Sequence, residues 1–186
     1  MSTGNGGSSM AANFNLLLFI ARVHALCLTV FLRRDYGREG IGMVGLGSFF
    51  MIPMYAGFTN SPPVLLFWGF WFLAVIGQRM RQYRNWRNGV ILHSRYEGYP
   101  WLAFKLFPRI RTEGNAKAAE AFLMFAVGGV LTHFDKPLGW FVMAGFLSIM
   151  FVEAISVEIT RKRLADMKDA QLEQQYLARR FRSGRF

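Results

Sequence analysis

The stretch "HSRYEGYP", residues 93–100, concentrates side chains that can bind charged groups. His93, Ser94, Arg95, Tyr96, Glu97 and Tyr99 all carry hydrogen-bonding groups. If His93, Arg95, Tyr96 and Glu97 converge, they suit an interfacial enzyme that acts on lipid or phosphate groups. Clustered polar groups on a loop held by rigid elements also suit recognition of a partner. The simpler interpretation, which we favour for the whole basic segment, is a cytoplasmic connector docked back on the membrane.

Arginines and aromatic residues surround this stretch. Between residues 79 and 87 arginines recur every two or three positions beside Tyr83 and Trp86, which predicts a collar at the headgroup level. Pro100 breaks the helix, and "WLAFKLFPRIR" resumes an amphipathic pattern suited to the interface. The predicted lipid or partner contacts are Arg81, Arg84, Trp86, Arg87, His93, Arg95, Tyr96, Glu97, Tyr99 and Trp101.

The elements that position these residues belong to a membrane protein. Apolar residues make up 53% of the chain and arrive in blocks separated by charged stretches. The blocks, each near the length of a spanning helix, are residues 41–58, 63–78, 118–131 and 138–155. We therefore predict an all-α integral membrane protein with four transmembrane helices in two hairpins, residues 41–78 and 118–156.

The distribution of charge predicts the orientation. The link over residues 59–62 is uncharged, and the link over residues 132–137 carries only Asp135 and Lys136. Most of the basic residues lie in the segment 79–117 and in the tail 157–186, so both are predicted to be cytoplasmic. The excess of arginine over lysine favours a bacterial inner membrane.

The amino-terminal region divides into two parts. Residues 1–13 are small and polar, which predicts a disordered lead. Residues 14–33 are predicted to form an amphipathic helix in the cytoplasmic interface, with Asn15, Arg22, Thr29 and Arg33 toward water. The alternative is a fifth span, but it would leave Arg22 near mid-membrane at a cost of about 2.5 to 3.5 kcal/mol.

Patterns that would indicate a metal, a cofactor or a disulfide are weak. Cys27 is a lone cysteine, and the three histidines lie in separate segments. The glycines of "GIGMVGLG", residues 40–47, open an apolar block, so we interpret them as helix-packing residues and not as a phosphate loop. No cofactor is predicted.

Two acidic residues lie within the predicted spans. Glu120 can reach Lys117 one turn earlier, whereas Glu153 has no base at neighbouring helical positions. A carboxylate there must take up a proton or find a cation, so we expect Glu153 to pair with Arg22, Arg79 or Arg81.

The tail completes the functional prediction. Residues 157–186 form a polar, helix-favouring stretch without a clean heptad, which suits docking on the membrane or on a partner. We predict a non-enzymatic membrane scaffold or accessory subunit, bound to anionic lipids and to other proteins of an assembly. The alternatives are a subunit of an oligomeric channel or transporter, and the interfacial enzyme. Nucleic acid is not an expected partner, since the net charge of +11 lies mainly at membrane-facing positions.

Overall fold

Helices form most of the chain. The computed structural model describes residues 6–90, 93–94 and 96–182, and within these ranges helices are the only extended regular elements. In chain order they are α1 (Gly6–Leu32), α2 (Gly42–Thr59), α3 (Pro62–Arg87), α4 (Trp101–Leu106), α5 (Glu113–Leu131) and α6 (Lys136–Arg182). The predicted all-α class is confirmed.

Among the described residues, four helices are long and apolar enough to cross a membrane, which indicates a multi-pass membrane protein. They are α1 from Met10 onward, α2, α3 and α6. Three of them coincide with predicted spans, but the fourth is α1 and not α5. The α5 sequence includes Glu113, Lys117 and Glu120, which lower its hydropathy. The hairpin arrangement, and α5 as a span, stay predictions.

The second half of α1 lies at the centre of the core. Every residue from Val23 to Val30 except His24, which is half-buried, is buried, so this part is covered on all sides. The predicted water-facing stripe is therefore wrong at Thr29 and Arg33, which are 5% and 3% exposed. Helix α1 also begins at Gly6, inside the predicted disordered lead.

Apolar contacts hold α1 against its neighbours. Cys27 and Val30 share a cluster with Ile52 of α2 and Trp71 of α3. A second cluster joins Ala25 and Leu28 to residues of α5 and α6, namely Ala121, Val142 and Ile149. Gly47 lies so close to α1 that an added Cβ would meet a methyl group of Val23 at 2.6 Å. The predicted helix-packing role of the "GIGMVGLG" glycines is thus confirmed at Gly47.

Local chemistry explains where the helices end. Asn60 adopts a left-handed conformation (φ 49°) after α2, and Pro62 and Pro63 begin α3. Thr112 caps α5 by accepting a hydrogen bond from the Asn115 amide at 3.3 Å. Asp135 accepts a hydrogen bond from the Leu138 amide at 2.8 Å where α6 begins.

The chain forms two compact units. The first extends to Val152 and contains the core described above. The second begins at Glu153 and comprises the remainder of α6 and the carboxyl terminus.

Candidate functional site

Two connectors lie side by side at one end of α1. The first connector, residues 33–41, follows α1, and the second connector, residues 88–100, includes "HSRYEGYP". Arg34 and Tyr99 form an antiparallel bridge with hydrogen bonds in both directions, of 2.9 and 2.6 Å. The Gly37 amide donates to the Tyr96 carbonyl at 2.9 Å, and the Glu39 amide donates to the Ser94 carbonyl at 2.7 Å. The backbone of the predicted recognition turn is therefore occupied by the first connector.

Three side-chain amides of α3 hold the other side of the first connector. Gln78, Gln82 and Asn85 share one helical face, and we call them the amide ladder. Gln78 donates to the carbonyls of Val30 at 3.1 Å and of Arg33 at 2.7 Å.

The two outer members of the amide ladder continue this pattern along the connector. Gln82 donates to the Tyr36 and Gly37 carbonyls at 3.0 and 2.9 Å, and Asn85 donates to the Asp35 carboxylate at 2.9 Å. Gln78 thus satisfies a carbonyl that the last turn of α1 leaves open, and the two outer members hold the first connector.

A buried ion pair joins the first connector to α5. The Nε of Arg33 donates to Oε2 of Glu120 at 2.7 Å, and their side chains are 3% and 0% exposed. Sequence analysis gave Glu120 only the local partner Lys117, so it missed this long-range partner. Lys117 Nζ lies 3.3 Å from Glu113 Oε1. Because both Arg33 and Glu120 are removed from solvent, each depends on the other for charge compensation.

A second ion pair ties the second connector to the middle of α1. Arg22 Nη2 lies 3.9 Å from Glu97 Oε1, with side chains 37% and 29% exposed. The backbone carbonyl of Glu97 also lies 3.5 Å from Arg33 Nη1. Glu97 therefore places a negative charge near Arg22, the residue whose charge argued against α1 as a transmembrane span.

The aromatic residues of the second connector are also engaged. The Arg34 guanidinium lies 3.3 Å from the ring centroid of Trp101, and Tyr99 stacks on Phe104 at 5.3 Å. The Tyr96 hydroxyl donates to Glu113 Oε1 at 3.2 Å. Burial, together with the Glu113 carboxylate, raises the pKa of Tyr96 to about 12, so the phenol remains a donor at neutral pH.

Tyr36 forms the floor between the two connectors. Its side chain is 2% exposed, and burial raises the pKa of its hydroxyl while Arg33 opposes that shift. Gly98 lies against it with φ 87°, and an added Cβ would meet the Tyr36 ring at 3.1 Å and the Cβ of Arg33 at 3.0 Å. Gly37 is similarly constrained, because an added Cβ would collide with the His93 carbonyl. The two connectors meet at distances that only glycine permits.

The remaining predicted site residues have different surroundings. Arg84, Trp86 and Arg87 are exposed at the end of α3, and Arg81 is half-buried there. His93 is exposed, and Arg95 lies outside the described residues. Glu153 is half-buried in the second unit, and its pairing stays a prediction.

The side chains of the predicted turn are directed to separate partners. The Tyr96 hydroxyl contacts Glu113 of α5, and the Glu97 carboxylate contacts Arg22 of α1. Among those residues, no cluster of three or more His, Cys, Asp or Glu side chains forms a metal site. The chain matches no family model, no curated protein and no solved structure.

Sequence reasoning missed two functional parts of this contact. The amide ladder has a readable signal, since Gln78, Gln82 and Asn85 follow the i, i+4, i+7 spacing of one helical face. The Arg33–Glu120 pair has none, because the partners are 87 positions apart.

Proposed function

We propose that this protein is a small multi-pass membrane scaffold or accessory subunit, which docks other proteins through the polar extension of α6. The observation that carries this proposal is a set of large apolar side chains exposed on that extension. Leu164, Met167, Leu172, Tyr176 and Leu177 are each more than half exposed. Single exposed apolar residues are ordinary, but five within fourteen positions of a charged helix are typical of an interaction surface.

The chemistry of the extension defines the partner. Basic residues flank these apolar positions at both ends, with Arg161, Lys162 and Arg163 before them and Arg179 and Arg180 after. A protein groove that is apolar in its centre and acidic at its rim would complement this pattern.

The state of the second connector supports a scaffold over an enzyme. An interfacial active site requires His93, Tyr96 and Glu97 to face one substrate position. Tyr96 instead contacts Glu113, and Glu97 contacts Arg22. These contacts anchor the second connector to α5 and α1.

The buried ion pair supports a scaffold over a channel. An oligomeric channel is expected to direct intramembrane charge toward a neighbouring subunit or a polar path. Glu120 is fully buried and paired with Arg33 inside the same chain, so it neutralises charge internally.

We also propose that both connectors and the carboxyl terminus face the cytoplasm of a bacterial inner membrane. The two weakly charged links lie together, because the Ser61 hydroxyl donates to Asp135 at 2.9 Å and the Tyr55 hydroxyl donates to the Pro137 carbonyl at 3.0 Å. The amide ladder holds the basic first connector at the opposite end of α3. This separation of charge along α3 supports the positive-inside orientation.

The particle mass in mild detergent tests the scaffold proposal. We expect purification from native membranes to give a heteromeric complex, whose partner subunit dissociates on Leu172→Ser with Leu177→Ser. The matched control is Ala165→Ser with Ala170→Ser, which changes the same helix without removing a large apolar side chain. A homo-oligomer that survives both variants would favour a channel, and a monomer with bound lipid would favour the enzyme.

Cysteine labelling in intact cells tests the orientation. In a Cys27→Ser background, Asn88→Cys and Ala178→Cys should both be protected from an impermeant thiol reagent and should react after lysis. Asn88 is chosen over its neighbour because Gly89 has φ 71°, which disfavours cysteine. Labelling of either position from outside would contradict the proposed topology.

A further inference from the structure

A notch in the outer face of α3 combines an apolar wall with a basic rim. It is a shallow, open groove of about 410 Å³, and all the residues that line it belong to α3: Val75, Ile76, Arg79, Met80 and Tyr83. Ile76 and Met80 are exposed apolar side chains, and they lie toward the charged end of α3, which is long and apolar enough to cross a membrane. The notch therefore opens where hydrocarbon meets the headgroup layer.

Two hydrogen bonds orient the charged group of the rim, the Arg79 guanidinium. Arg79 reaches across to the first connector, where Nη1 donates to the Arg38 carbonyl at 3.3 Å, and it also donates to Gln82 at 2.9 Å. Gln82 is itself held by the carbonyls of Tyr36 and Gly37. A guanidinium oriented by neighbours loses less entropy on binding an anion than a mobile lysine does.

The second polar group of the rim is the Tyr83 phenol. Tyr83 is exposed and packs beside Trp86, with ring centroids 5.9 Å apart. A phenol and an indole at this level are typical of the membrane interface, where the ring contacts lipid and the polar atom contacts headgroups. Arg84 and Arg87 follow on the same helix end but do not line the notch.

We propose that this notch binds one anionic glycerophospholipid, with its phosphate on Arg79 and Tyr83 and one acyl chain along Ile76 and Met80. Charge selects the anionic headgroup, and the apolar wall selects a lipid over a free phosphate ion. The site is distinct from docking through α6, so either can fail while the other holds.

Native mass spectrometry of the full chain tests the site, with phosphatidylglycerol and phosphatidylcholine as probes. We expect one phosphatidylglycerol to remain bound at energies that strip phosphatidylcholine. Arg79→Gln should weaken retention roughly tenfold through loss of a charge-assisted hydrogen bond, and Arg79→Lys should retain part of it. The matched control, Arg87→Gln, removes the same charge from the same helix end outside the notch and should change retention less than twofold.

A second variant separates lipid binding from a defect in folding. Met80→Trp leaves Arg79 intact and fills the space assigned to the acyl chain, so it should also release the lipid while melting like the parent. Equal losses from Arg79→Gln and Arg87→Gln would show diffuse attraction and overturn the proposal, as would full retention in Met80→Trp. Displacement of the lipid by excess inorganic phosphate would identify a simple anion site and would also overturn it.

Discussion

The Arg33–Glu120 and Arg22–Glu97 ion pairs differ in distance and in exposure. Arg33 and Glu120 approach to 2.7 Å with almost no exposed surface, whereas Arg22 and Glu97 lie 3.9 Å apart with about a third of each side chain exposed. Breaking a pair by removing one partner is costly only when the remaining charge is sealed from water. The Arg33–Glu120 pair should therefore contribute strongly to the free energy of unfolding. The Arg22–Glu97 pair should mainly set the position of the second connector.

The largest effect is expected at the buried pair. Glu120→Ala should lower the free energy of unfolding by about 3 to 5 kcal/mol, because Arg33 would be left buried without its counter-charge. Titration with SDS in mixed micelles measures this difference. The double variant Arg33→Met with Glu120→Leu should be much closer to the parent, since no buried charge remains, and a double variant worse than Glu120→Ala would contradict this account.

The next effect is expected where the second connector contacts Arg33. Gly98→Ala should lower the free energy of unfolding by about 1 to 3 kcal/mol, with a value near the top of that range. The φ angle of Gly98 is positive, and the new Cβ would also meet Arg33 and Tyr36. Gly89→Ala is the matched control, since its φ is also positive but an added Cβ would have no neighbour within 4 Å. Equal losses for both variants would show that backbone strain alone is responsible.

A smaller effect is expected in the amide ladder. Gln78→Leu should cost about 1 to 2 kcal/mol, because two carbonyls at the end of α1 lose their buried donor. Gln82→Leu removes three hydrogen bonds, two to connector carbonyls and one from Arg79, but from a half-buried position that water reaches, so its loss should be less than half as large. The same titration compares them, and a greater loss at Gln82 would reverse the assigned order.

The smallest effect is expected at the half-exposed pair. Glu97→Gln should change the free energy of unfolding by about 0 to 1 kcal/mol, with a difference that shrinks as salt is added. Limited proteolysis of the second connector is the more sensitive measurement and should become faster in this variant. A loss as large as that of Glu120→Ala would mean that the two pairs are equivalent, and the comparison would fail.

The sequence was sufficient for the class of protein because hydropathy acts over whole blocks. The apolar blocks predicted α2, α3 and the first part of α6, but the block that begins at residue 118 missed the polar first turn of α5, which begins at Glu113. It was insufficient for α1, since Arg22 and Arg33 argued against burial in the absence of their partners. Those partners, Glu97 and Glu120, lie far along the chain, and no periodic pattern links residues at such separation.

In the candidate site too, short sequence windows predict some residues correctly, whereas others depend on partners far along the chain. The exposed collar residues Arg84, Trp86 and Arg87 follow from interfacial preferences that a short window reveals. Tyr96 and Glu97, by contrast, are held by Glu113 and Arg22, which belong to other helices. A polar cluster in sequence is therefore not a cluster in space once each member has a different partner.

The order in which the chain is synthesised gives the buried pair a consequence for biogenesis. Arg33 leaves the ribosome 87 residues before Glu120. At about 5 to 20 residues per second, this separation is on the order of 4 to 17 s. Arg33 must wait throughout that interval for Glu120, whereas Glu97, the partner of Arg22, is synthesised 23 residues before Glu120. We therefore expect α1 to reach its final packing only after α5 has been synthesised, and we expect the insertion machinery or a chaperone to shield Arg33 until then.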